Sequence, residues 1–199
     1  VAGMTASNFA LIPGGSVSGA LITGITGSGA NYVVTASTGT GDGTLGLNLA
    51  NDTNLLPGIA AALPFTGEVY TIDKTGLTAV ITSTASYPTN ISPIPMTITF
   101  SEDVADFYLL DVVTGNGSAG NLAGGPAVYT FDVTPAAFGT VSVSVAADAV
   151  HDTAGNGNSA AQFSIVYGAG GLNIIYITLM NDGTDALAAI SNPVPAGAA

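Results

Sequence analysis

The side chains best suited to chemistry in this chain are oxygen ligands. Asp152 and Asn156 share a Gly- and Asn-rich turn, Glu102 closes an alternating apolar run, and Asp73 stands just before the sole lysine, Lys74. Carboxylate and amide oxygens gathered on turns are what calcium takes as ligands. Asp and Asn also make turns without any metal, because their side chains hydrogen-bond the local backbone. No complete calcium loop of the D-x-D-x-D-G kind is present. Calcium at Asp152, Asn156, Glu102 and Asp73 is therefore the one cofactor the sequence points to, and the sequence makes none obligatory.

Nucleophilic catalysis lacks material. His151 is the single histidine, and the chain has neither Cys nor Arg. A Ser-His-Asp triad or a zinc site needs more than that, and no carboxylate pair is recognisable for acid–base work. No enzyme is expected. Gly41-Asp42-Gly43-Thr44-Leu45-Gly46 matches the dinucleotide glycine pattern, but a helix must follow that motif and an alternating strand follows here. Those glycines read as a hairpin turn. Leu63-Pro64-Phe65-Thr66-Gly67 has the sortase pattern but lies mid-chain before a strand. Lys74 reads as a solvated charge rather than an isopeptide partner. Asn51, Asn90 and Asn116 head glycan-acceptor tripeptides, which matter only where the source glycosylates asparagine.

Charge narrows the partners. Thirteen acids against one lysine give a formal net charge of −12 over 199 residues. Such a surface cannot neutralise phosphates, which excludes nucleic acid, and anionic lipid headgroups fall to the same argument. No apolar run reaches the roughly 18 residues that span a bilayer. A surface nearly free of Lys and Arg offers trypsin-like proteases few sites, which fits a secreted, extracellular or cell-surface location. The chain opens at Val1 without a leader, as a processed or excised segment would.

These residues must be positioned by strands. Alternation with period two recurs, as in Thr44 to Leu49 and Thr140 to Val145, while helical periodicity is nearly absent. β-branched and aromatic residues fill the runs, and turn signals about every ten residues indicate sandwiches. The pattern also repeats. Asn31-Tyr32-Val33-Val34-Thr35, Gly43 to Leu49 and Asn51-Asp52-Thr53 correspond in order to Val128-Tyr129-Thr130-Phe131, Gly139 to Val145 and His151-Asp152-Thr153. The second copy is preceded by two strands, Leu77 to Thr82 and Met96 to Phe100, whereas the first starts at Val1 with no equivalents.

The expected organisation is all-β, with two tandem immunoglobulin-like sandwiches. Residues 1–75 form an incomplete sandwich lacking its opening strands, 76–167 a complete one, and 168–199 a Gly-rich linker with a surplus strand. In that tail, Leu172, Ile174, Tyr176 and Thr178 alternate with Ile175, Ile177 and Leu179. Deficit at the start and surplus at the end are complementary.

Thr99-Phe100-Ser101-Glu102, Tyr129 to Pro135 and Asp152-Thr153-Ala154-Gly155-Asn156 together resemble the bacterial Ig-like repeats of large secreted adhesins and surface proteins. The resemblance covers residues 1 to 167 and implies a structural or adhesive role, with calcium held at turns and junctions in some related repeats. The leading expectation is a subunit of an extracellular filament or surface layer. Its tail strand would insert into the incomplete first sandwich of a neighbouring copy, so that copies of the chain are the main partner. The rivals are a monomeric module completed by its own tail, and an adhesin or spacer segment completed by upstream sequence, with a host or cell-surface ligand.

Overall fold

The computed structural model describes residues 1–168; the proposed donor strand, Leu172 to Leu179, lies outside the described residues. The chain divides into two compact units. Among the described residues, the first comprises Val1–Leu77 with Asp152–Asn156, and the second Thr78–His151 with residues 157–168.

Five strands build the first unit: β1 (Phe9–Gly15), β2 (Leu21–Ser28), β3 (Asn31–Ser37), β4 (Gly43–Leu49) and β5 (Phe65–Ile72). They form one three-stranded sheet in the order β1-β4-β5 and one two-stranded sheet, β2-β3. All pairings are antiparallel. Pro13 falls in β1, an edge strand, where a missing N–H costs no ladder bond on the open side.

Among the described residues the second unit has seven: β6 (Ala79–Ser83), β7 (Ile94–Phe100), β8 (Val113–Gly115), β9 (Gly117–Gly124), β10 (Val128–Pro135), β11 (Gly139–Val145) and β12 (Ala161–Tyr167). Their sheets run β6-β7-β10-β9 and β12-β11-β8. Alternation puts Ile94, Met96, Ile98 and Phe100 of β7 inside, facing Phe131 and Val133 of β10 and Val141, Val143 and Val145 of β11. Phe107 closes one end, edge-on to Phe100 at 5.2 Å and to Tyr129 at 4.9 Å between ring centroids. Edge-to-face pairs of this kind add about 0.5–1.5 kcal/mol beyond their burial.

The order β1-β4-β5 parallels β8-β11-β12, and β2-β3 parallels β9-β10. The first unit has no described strand in the places that β6 and β7 occupy beside β10. One local expectation is corrected. The Gly41–Gly46 segment is not a hairpin turn: β3 pairs with β2, and β4 with β1 and β5, so the connection crosses from one sheet to the other. Glycine serves the crossing, since Gly41 and Gly43 both have positive φ, 80° and 149°.

Candidate strand-acceptor site

β3 carries the most distinctive site. Its hairpin partner β2 covers one edge, with Ser28 opposite Asn31 and Leu21 opposite Ser37. Among the described residues nothing pairs with the other edge. Tyr32, Val34 and Ala36 point inward but stay only half-buried, while Val33 on the outer face is 65% exposed. On the facing sheet, Leu45 is buried but Leu47 and Leu49 are half-buried. The corresponding valines of β11 are each 1% exposed.

Between the two sheets of the first unit lies a cleft of about 380 Å³, lined by Phe9, Tyr32, Val34, Leu47, Leu49 and Ile59 among others. Its walls are largely apolar. The Tyr32 hydroxyl at the cleft donates to the Val1 carbonyl at 2.8 Å, so that polar tip is already satisfied. β5 is exposed on both faces, with Val69 at 62% and Tyr70 at 59%. A sandwich with one sheet reduced to a hairpin leaves this kind of surface open, and apolar area left in water forgoes roughly 25 cal/mol per Å².

The sequence names Leu47 and Leu49 through their alternation, and Tyr32 and Val34 through the repeat. Phe9 and Ile59 carry no sequence signal; only the fold brings them to the cleft.

The residues singled out for calcium divide between the units. Asp73, Asp152 and Asn156 belong to the first, where carboxylate oxygens of Asp73 and Asp152 come within 4.8 Å of each other. Asn156 Nδ2 donates to the Asp73 carbonyl at 3.3 Å and to Asp152 Oδ2 at 2.9 Å. Asp152 Oδ1 accepts from the backbone N–H of Ala154 at 2.8 Å and of Asn156 at 2.9 Å. The Asn156 side-chain amide, followed by these backbone donors, holds the Asp152 carboxyl below the usual carboxylate range. Asp152 therefore organises its own turn, with protein donors on both oxygens. Glu102 follows β7 in the second unit.

The other chemical candidates have structural roles. His151 Nδ1 lies 2.9 Å from Asp106 Oδ2, and its backbone N–H donates to Asp106 Oδ1 at 2.7 Å. Lys74 is exposed, and its ammonium donates to the Gly39 carbonyl. Phe65-Thr66-Gly67 of the sortase-like pattern is built into β5, with Thr66 opposite Asn48. The side-chain amides of Asn51 and Asn116 donate to backbone carbonyls, Asn51 to Ser7 at 2.9 Å and Asn116 to Ala137 at 2.9 Å.

Strand order, the two sheets and the alternating core define the second unit as an immunoglobulin-like β-sandwich. Residues 73–167 match the family model of the bacterial Ig-like domain. The domain is a structural, non-catalytic fold that commonly occurs in surface proteins. No curated protein and no solved structure gives a significant match to the chain. No helix among the described residues is long and apolar enough to cross a membrane.

Proposed function

We propose that the chain is a structural subunit of an extracellular filament or surface layer. The first unit is an Ig-like sandwich lacking its two opening strands, and it is completed by the tail strand of a neighbouring copy. The observation that carries this reading is the edge of β3, unpaired among the described residues, above an apolar cleft, at the place where β7 covers β10 in the second unit. Strand addition to such an edge draws affinity from main-chain hydrogen bonds and specificity from alternate side chains in pockets. Donor and acceptor are different surfaces, so the contact is heterologous and propagates head to tail.

Light scattering on the full chain, and on a chain lacking residues 171–199, tests this. Linear assemblies that vanish on truncation are expected. A monomer with the tail intact overturns polymerisation and favours the second reading, a spacer or adhesin module whose first sandwich is completed by its own tail or by upstream sequence.

A further inference from the structure

The second unit shows what covers an edge of this kind. β7 runs antiparallel to β10, pairing Ile98 with Tyr129, Met96 with Phe131 and Ile94 with Val133. Every inward residue of β7 is a bulky apolar group, at most 3% exposed. The hairpin registers align β3 with β10, because Gly27 sits opposite Tyr32 as Gly124 sits opposite Tyr129, and both glycines have positive φ. An occupant of the β3 edge therefore sets alternate apolar side chains opposite Val34, Tyr32 and Ala30, the stretch of β3 and its hairpin that lines the cleft.

Resting on the strand-donation reading, we propose a definite phase and register for the donor. Leu172 to Met180 runs antiparallel to β3, with Ile175, Ile177 and Leu179 entering the cleft opposite Val34, Tyr32 and Ala30. Tyr176 then lies on the outer face against Val33. The opposite phase would bury the Thr178 hydroxyl and the Tyr176 phenol in an apolar cleft, where an unpaired polar group is costly. The chosen phase fills the cleft with Ile175, Ile177 and Leu179, leaves Asn173 opposite Ala36, beyond the residues that line the cleft, and covers Val33 with an aromatic ring, a favourable cross-strand pair. The small Ala30 leaves room for Leu179 at the end of the cleft.

Because the chain has no cysteine, single-cysteine variants test the register directly. Val33→Cys and Tyr176→Cys chains, mixed and oxidised, are expected to give a disulfide-linked dimer, whereas Thr178→Cys with Val33→Cys stays unlinked because its Cα falls outside disulfide reach. In the full chain, Ile177→Asp is expected to lower the association constant ~100-fold or more, as a buried unpaired charge must, while Thr178→Asp changes it less than ~3-fold. Cross-linking of Val33→Cys to Thr178→Cys, or equal damage from the two aspartates, overturns the register and leaves strand donation standing. Cross-linking confined to monomers of the Val33→Cys/Tyr176→Cys double variant overturns exchange between copies and leaves the register standing. No cross-link, together with no effect of Ile177→Asp, overturns both.

Discussion

Replacing Ile98 by alanine measures how much an inner strand stabilises a sandwich built on this pattern. Ile98 is 0% exposed and lies between Ile81 of β6 and Tyr129 of β10 in the ladder. The substitution removes three carbons, about 2.4 kcal/mol at ~0.8 kcal/mol per buried carbon. The cavity left behind adds a further ~1–2 kcal/mol, because the facing Val141 and Val143 sit on a regular ladder that collapses only partly. Ile98→Ala is thus expected to cost about 4 kcal/mol. In urea, followed by circular dichroism, a slope of about 1–2 kcal/mol per molar turns this into a midpoint lower by ~2–4 M. The same position in the first unit, opposite Tyr32, is the one assigned to Ile177. Ile177→Ala is expected to weaken assembly of the full chain by up to the same free energy, hence on the order of a hundredfold or more. A cost below ~1.5 kcal/mol for Ile98→Ala would mean that β7 packs loosely, and the estimate of what the first unit lacks would fail with it. A full cost at Ile98 with no effect at Ile177 would refute the assignment of the tail to the cleft.

Hydrogen exchange on the chain lacking residues 171–199 should show amides of β4 exchanging at least ~100-fold faster than those of β11, since local stability follows buried apolar contacts; equal protection would show that the first unit is complete without an added strand. Assembly measured by light scattering should strengthen as salt rises from about 0.05 to 0.5 M, because copies carrying a formal charge of −12 repel through a field that salt screens while the contact itself is apolar; weakening with salt would point to an ionic interface. The stability of the second unit should fall on the alkaline side. Its hydrogen bond to Asp106 and the nearby Asp106 and Asp148 carboxylates, against the opposing effect of burial, leave His151 with a raised pKa. That stabilisation is complete below about pH 6.5 and disappears as pH climbs through the folded value. Asp106, held low chiefly by the His151 backbone N–H, contributes in the opposite sense and is lost on acidification. A His151→Gln chain should show a flatter melting temperature between about pH 6 and 9, and an unchanged slope would remove the imidazole from the argument.

Much of this architecture was legible because alternation with period two is a direct record of which face a strand buries. The runs at Gly43–Leu49, Val128–Pro135, Gly139–Val145 and Ala161–Tyr167 are strands over nearly the spans their patterns suggest. β1 and β2 were not legible. Phe9 to Gly15 contains Pro13 and two glycines, and Leu21 to Ser28 two more, so their propensities argue against a strand. Pairing with β4 and β3 overrides that preference. The sheet crossing at Gly41–Gly43 reads as a hairpin in the sequence because turn chemistry fixes local φ and ψ but not which sheet the next strand joins. The cleft was legible in outline through the two strands without counterparts. Its floor was not, since Ile59 reaches it from an irregular stretch between β4 and β5 with no periodicity to read.

The edge of β3 that no described residue pairs differs from the edges that stable sandwiches usually present. Exposed edge strands are commonly blunted by lysine, proline, bulges or inward charges, which stop another chain from pairing. On the outer face of β3 stand Asn31, Val33, Thr35 and Ser37, with no charge and no proline among them. The bulge in this hairpin sits on β2, between Ile22 and Gly24, on the paired side rather than the open one. In the second unit the corresponding strand, β10, is flanked on both sides, and its inward residues Phe131 and Val133 are 2% and 0% exposed. An unprotected edge, half-buried inward residues and an apolar cleft thus coincide on one strand of the first unit. Each alone would be an ordinary imperfection of a small β domain. Together they are the features on which the proposed strand addition rests, because main-chain pairing along an unguarded edge and apolar side chains entering a cleft are what a donated strand supplies.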